Sequence, residues 1–208
     1  MASMSYTNTT SLRIGQINAQ GSKTATNEIR KVAEDLRLDI VCVQEPYCLR
    51  GKLPAMPITT RVILYGDNPK AATIVFSRAV TITSIDHLSS SHCVVVEVSS
   101  TVGSIVMVNQ YYQFEEPIAG HLHRTQVAFR VFQSLPALLM ADVNAKSILW
   151  NSPTNNERNE ELQLLIQELG LQVENTSGGP PTYENRAGAS SYIDVTLSNN
   201  EAQGRVAN

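Results

Sequence analysis

Five polar residues stand where apolar runs end or are interrupted, and as a set they make chemical sense. Asn18 closes the run R-I-G-Q-I-N, and Glu45 closes D-I-V-C-V-Q-E. Asp142 and Asn144 follow L-P-A-L-L-M as A-D-V-N-A, and Asp194 lies inside Y-I-D-V-T-L-S. Strand ends are where sites commonly form in α/β sheets. A carboxylate within an apolar strand carries a burial cost unless it is paired or binds a metal. Taken singly, each of these residues also suits a cap or a turn. Carboxylates and amide oxygens are hard ligands that suit Mg²⁺ rather than zinc. One Glu with amide neighbours, plus a second carboxylate to hold a water, suits metal-assisted phosphodiester hydrolysis. Tyr111 or Tyr112, at the end of a further apolar run, is placed to donate a hydrogen bond to a phosphate oxygen. His121 and His123 are two apart on an expected helix, so they should point to different faces and be exposed, which argues against zinc. No G-x-x-x-x-G-K-[ST] or G-x-G-x-x-G is present, and nucleotide-cofactor folds lose weight.

Alternating strands and helices must position these groups, which indicates an α/β domain. Strand Leu12–Ile17, helix Asn27–Arg37 and strand Asp39–Gln44 form an expected β-α-β unit, with Gly21–Thr26 as a polar turn. Strands at Val62–Tyr65, Ala72–Ser77, Val80–Ile85, Cys93–Val98 and Ser104–Tyr111 follow at the spacing of an antiparallel meander. A helix over Ile118–Gln133 precedes a buried strand at Leu135–Met140. Thr154-Asn-Asn-Glu157 reads as a capping box opening a helix with the stripe Leu162, Leu165, Ile166 and Leu169, stopped by Gly170. Leu171–Glu174 and Tyr192–Ser198 are the last expected strands, with a turn at Gly178–Pro181 between them.

The 208 residues suit a core-forming domain over 12–208 after a polar leader at 1–11. The net charge of −3 hides an asymmetry. Residues 1–80 carry ten Lys/Arg against six Asp/Glu, and the remainder six against thirteen. Arg50, Lys52, Arg61, Lys70 and Arg78 fall in one stretch that would draw an anionic ligand if they share a face. Three cysteines without a C-x-x-C pair fit a reducing compartment and no disulfide framework, with Cys42 an inert buried thiol. No apolar stretch reaches the ~18 residues of a membrane helix, and no membrane partner is expected.

At these residues the chain resembles the endonuclease/exonuclease/phosphatase superfamily, and within it the endonuclease domains of arthropod non-LTR retrotransposons that insert into ribosomal DNA or telomeric repeats. The resemblance rests on I-G-Q-I-N, D-I-V-C-V-Q-E-P-Y, N-Q-Y-Y-Q-F-E-E-P-I, A-D-V-N-A-K-S-I-L-W, P-P-T-Y and S-Y-I-D-V-T-L-S, in that order across residues 12–198. It implies a four-layer α/β sandwich with two facing mixed sheets. It implies Mg²⁺-dependent single-strand nicking of DNA, with Mn²⁺ as a substitute, that primes a neighbouring reverse transcriptase domain in the nucleus. Carried over by position, Glu45 would hold the metal with Asn18 in support. Asp142 would position or deprotonate the attacking water beside Asn144. Tyr112 would orient the scissile phosphate, with Tyr111 the competing choice because a one-residue shift flips the face. Thr182 and Ser191 would contact phosphate or support those that do, and Asp194 would pair with a histidine. Arg50, Lys52 and Arg61 are the expected DNA-facing cations. The family's closing Ser-Asp-His is not found after Asp194 before Asn208, so the last strands and that histidine are expected to be missing. The chain would then be a fragment of a longer reading frame or a decayed, weakly active copy. Abasic-site repair or another phosphoesterase reaction of the superfamily is the remaining alternative.

Overall fold

The computed structural model describes residues 11–54, 56–176, 178, 181–184 and 190–207. The expected leader lies outside the described residues except for Ser11, and the turn at 178–181 is only partly within them.

The first unit is β1 (Ile14–Asn18), α1 (Lys23–Leu36) and β2 (Ile40–Gln44). The crossover helix makes β1 and β2 parallel, with Asn18 opposite Gln44. α1 begins earlier than its apolar stripe suggested. Ser22 is the N-cap and its Oγ accepts from Ala25 N at 3.2 Å, so the polar turn expected at 21–26 is largely the first helical turn. The helix buries Ile29 and Ala33 against Val41 and Val43 of β2.

β3 (Arg61–Leu64) and β4 (Ala71–Val75) complete the first sheet in the order β1-β2-β4-β3. The second sheet opens with β5 (Thr81–Ser84), β6 (Cys93–Ser100) and β7 (Gly103–Tyr111), paired antiparallel. The expected meander is therefore divided between two sheets. β4 inserts beside the fully buried β2, and the chain changes sheet between β4 and β5. Local strand spacing carries no information about which sheet a strand joins.

α2 (Ile118–Val131) then crosses to β8 (Ala137–Asp142), parallel to β7. α3 (Glu157–Leu169) buries Leu162, Leu165 and Ile166 and ends on Gly170, whose φ of +62° suits glycine. Its N-cap is Asn156, whose side chain accepts from Asn159 N at 3.2 Å, and not Thr154 of the expected capping box. β9 (Gln172–Val173) forms one edge of the second sheet. β10 (Tyr183–Glu184) and β11 (Ser190–Ser191) make a separate two-stranded sheet. β12 (Asp194–Ser198) lies between β8 and β9, completing the order β5-β6-β7-β8-β12-β9.

Strand alternation sorts the side chains into layers. In β7 and β8, Val106, Val108, Leu139 and Ala141 face α2 and α3, in a core with Phe129 and Trp150. Met107 and Met140 face the first sheet and meet Ile40, Cys42 and Val75. The layers run α1, first sheet, second sheet, α2 with α3: an α/β sandwich of two facing mixed sheets.

Candidate active site

Register brings the carboxylates together. Tyr111, Asp142 and Asp194 are direct partners across β7, β8 and β12, so their side chains share the face turned toward the first sheet. Asn18 and Glu45 come from the ends of β1 and β2 on the other side of the gap. Strict alternation would send Glu45 to the α1 face with Val41 and Val43. Its left-handed φ of +45° releases it from that alternation, a conformation that costs roughly 1–2 kcal/mol for a residue with a Cβ. Asn144, at φ +47°, turns the chain in the same way after Asp142.

Asn18 holds the two carboxylates in one group. Its Nδ2 donates to Glu45 Oε2 at 3.2 Å and to Asp142 Oδ2 at 2.5 Å. Its Oδ1 accepts from Gln20 N at 2.7 Å, which fixes which way the amide faces. Asn18 therefore presents hydrogens to the carboxylates and not an oxygen to a metal, so its support for a metal is indirect in this arrangement. The other Asp142 oxygen accepts from Asn144 N at 2.9 Å, and Asn144 Nδ2 donates to the Tyr112 carbonyl at 3.1 Å. Asp194 Oδ1 lies 3.5 Å from Gln16 Nε2. Thr182 Oγ1 accepts from the backbone N–H groups of Ile193 and Asp194 at 3.0 and 3.2 Å. Gln16, Asn18, Asn175, Thr182, Asp194 and Thr196 line a cleft of about 380 Å³ beside the group. Another cleft, of about 310 Å³, contains the exposed Arg130–Glu168 ion pair and lies on the α2–α3 side.

Burial and mutual repulsion define the electrostatics. Asp142 is 1% exposed, and burial, then the charge of Asp194 and that of Glu45, push its carboxyl well above the usual range. The bonds from Asn18 and Asn144 N only partly offset this. Burial likewise raises Asp194, against the bonds from Thr182 and Gln16. A buried carboxylate facing a half-buried one favours a cation between or beside them. Among the described residues no three His, Cys, Asp or Glu side chains converge as a complete cage. The donor set of Glu45 and Asp142 instead fits Mg²⁺, which is held by one or two carboxylates and keeps several waters.

The neighbouring tyrosines separate cleanly. Tyr111 is on the carboxylate face, stacks on His92 at 6.3 Å between ring centroids, and is raised by burial and by the Glu45 carboxylate, to which its hydroxyl bonds. Tyr112 is fully buried on the opposite face. Its hydroxyl lies 2.6 Å from Thr125 Oγ1 and its ring stacks on His121 at 5.2 Å. The expectation that Tyr112 orients phosphate is corrected, because strand parity puts Tyr111 at the site. His121, expected on an exposed face, is fully buried. Burial holds its pKa down at about 4, and its Nε2 lies 3.1 Å from Glu116 Oε2 without hydrogen-bond alignment.

The expected DNA-facing cations also separate. Arg50 and Lys52 are exposed in a tight turn where Leu49 and Lys52 exchange backbone bonds, packed beside Gly66 and Asp67. That turn follows Glu45, at the carboxylate end of the first sheet. Arg61 pairs with Val75, as Ile40 does, and so sits at the opposite end. Its guanidinium donates to the carbonyls of Ser77 and Val80, both at 2.9 Å. Its placement beside the site is corrected. Ser191 is buried opposite Tyr183, and no contact among the described residues brings it to the carboxylates.

Sequence reasoning missed Arg158 and His92. Arg158, near the start of α3, donates to the carbonyls of Gln113, Phe114 and Glu116 and lies 5.8 Å from the centre of the Phe114 ring, tying down the loop after Tyr112. His92 bonds Ser91 Oγ and Gln113 Oε1, each at 3.0 Å. Neither stands in a motif, and both act through contacts distant in sequence.

Known proteins share this arrangement of strands. The chain is 28% identical over 195 residues to a 115 kDa protein in type-1 retrotransposable element R1DM of Drosophila melanogaster. The match covers 90% of the chain but 19% of that relative, so the chain spans about a fifth of its length. The endonuclease domain of TRAS1, a telomere-specific non-LTR retrotransposon, superposes with a TM-score of 0.81 at 29% identity, over 91% of this chain and 86% of that one. The AP endonuclease LMAP of Leishmania major superposes with a TM-score of 0.72 over 91% of this chain and 79% of that one, and at 8% identity this shows the fold alone. The sequence profile described as endonuclease–reverse transcriptase matches residues 105–208, the half that contains Tyr111, Asp142, Asn144 and Asp194. The fold is that of the endonuclease/exonuclease/phosphatase superfamily, and the chain belongs to its endonuclease–reverse transcriptase family.

Proposed function

We propose that this domain nicks one strand of DNA in a divalent-metal-dependent reaction, as the endonuclease of a non-LTR retrotransposon protein. The observation that carries the reading is the bridge from Asn18 to Glu45 and Asp142, which joins carboxylates from two sheets into one donor group at the edge of a cleft. Bound there by Glu45 and Asp142, Mg²⁺ would supply charge to offset that developing on the phosphate. Asp142, with one oxygen fixed by Asn144 N, is placed to hold the attacking water. It takes the proton of the attacking water as the water's oxygen bonds to phosphorus. The bond from phosphorus to the 3′ oxygen breaks, and that oxygen takes a proton from solvent, leaving a 3′-hydroxyl and a 5′-phosphate. Tyr111, on the same face as Asp142, donates to a non-bridging oxygen. Arg50 and Lys52 meet the flanking backbone. A 3′-hydroxyl is a primer, which suits a neighbouring reverse transcriptase domain acting on nuclear DNA.

The test is a supercoiled-plasmid assay with Mg²⁺, with chelator, and with Asp142→Asn. The reading expects open circles in Mg²⁺ alone and a loss of about 10²–10⁴-fold in the variant, the usual range for removing a positioned base. Equal nicking by wild type and variant would overturn it. Faster cleavage of abasic DNA than of intact duplex would shift the substrate to repair intermediates.

A further inference from the structure

Directly beneath the carboxylates, a buried polar bridge joins the two sheets. Gln44 and Asn109 are both fully buried. Gln44 Nε2 donates to Asn109 Oδ1 at 2.7 Å and to the Met140 carbonyl at 3.2 Å. Asn109 Nδ2 donates to the Ala72 carbonyl at 2.8 Å and to Thr73 Oγ1 at 3.2 Å. One small network thus ties β2 and β4 of the first sheet to β7 and β8 of the second. Its place in the register is telling. Gln44 is the partner of Asn18 and precedes Glu45. Asn109 is two residues before Tyr111 on the same face, and Met140 is two before Asp142.

The bridge is not the arrangement that stability alone would select. Gln44 Oε1 is buried with no hydrogen-bond partner. An unsatisfied buried acceptor is destabilising, whereas apolar residues of similar shape in place of both partners can be neutral or stabilising. The neighbouring inward positions along these strands, Cys42 and Met107, are already apolar. A polar pair kept in such surroundings is of use where it fixes geometry rather than where it adds stability.

We propose that Gln44 and Asn109 are positioning residues for metal binding. They set the gap between the sheets one step below Glu45, Tyr111 and Asp142, so that Glu45 and Asp142 reach one ion. This rests on the metal-dependent reading of the site.

The test compares the full chain with the double variant Gln44→Met/Asn109→Leu, by thermal melting in chelator, by calorimetric titration with Mg²⁺, and by nicking. The melting temperature should be equal or higher. Mg²⁺ affinity should fall about 10–100-fold, the range for losing groups that hold metal ligands in place. The nicking kcat should fall with little change in KM for DNA. A lower melting temperature with unchanged Mg²⁺ affinity, or failure of the variant to fold, would make the bridge structural and overturn the proposal. A wild-type chain that binds Mg²⁺ but nicks nothing would sink the endonuclease reading, while the affinity comparison still decides the role of the bridge.

Discussion

The layer between the two sheets has two ends of opposite chemistry. At one, Ile40, Val75, Val96, Val98 and Met107 pack together with almost no exposure. At the other, the facing surfaces of the same two sheets carry Asn18, Gln44, Asn109, Tyr111, Asp142 and Asp194. Register and alternation are common to both ends, and only the side chains differ. The apolar end gains from every group it buries. The carboxylate end opposes folding, because it desolvates Asp142 and Asp194 beside one another. A protein that places repelling carboxylates on its sheet interface has traded stability for a site.

Changes that break this division should act on one property at a time. The largest effect on stability belongs to the apolar end. Met107→Ala should cost about 2–5 kcal/mol in denaturant melts, as buried large-to-small changes do, while the nicking rate per folded molecule holds. A proportional loss of rate would mean that the two ends are not separable.

The two tyrosines sharpen the contrast across one strand. Tyr111→Phe should slow nicking by about tenfold to a hundredfold, the worth of a hydrogen bond to a charged group, an effect far larger on rate than on the melting temperature. Tyr112→Phe should leave the rate alone and cost about 0.5–1.5 kcal/mol by removing the bond to Thr125. Reversed phenotypes would place the wrong residue at the phosphate.

The smallest effect is on pH dependence. In chelator, the folded chain binds more protons than the unfolded one between the ordinary Asp pKa of about 3.9 and the raised values of Asp142 and Asp194. These groups therefore make stability fall as pH rises through that window. His121, neutral in the fold down to about 4, acts in the opposite sense below about 6.5. The difference between wild type and Asp142→Asn isolates the carboxylates, and melts from pH 5 to 7 should show a shallower decline in the variant. Parallel curves would show that Asp142 is not held against its ionisation.

Much of this was legible in the sequence, for identifiable reasons. The β1-α1-β2 unit follows from apolar runs flanking one amphipathic helix, and Glu45, Asp142 and Asn144 stand out because they interrupt such runs. Tyr111 and Tyr112 could not be separated, since only the pairing of β7 with β8 decides which faces Asp142. Arg61 looked like a neighbour of Arg50, but β3 begins at the far end of the sheet, where Arg61 pairs with Val75. His121 looked exposed on a helix whose buried face also takes in Thr125 and Ala128. Gln44 offered a weak signal, as a polar residue on the inward parity of Ile40 and Cys42. Its partner Asn109 lies 65 positions away, beyond the reach of any local pattern.

The most direct test of the account is a Mg²⁺ titration of plasmid nicking by wild type and Glu45→Gln. Glu45 belongs to the first sheet and Asp142 to the second, so a shared metal is the claim on which the site stands. The account predicts that Glu45→Gln raises the Mg²⁺ concentration needed for half-maximal nicking about tenfold or more, while the folded chain melts as before. Full wild-type nicking in chelator, or the same Mg²⁺ midpoint in both proteins, would contradict it.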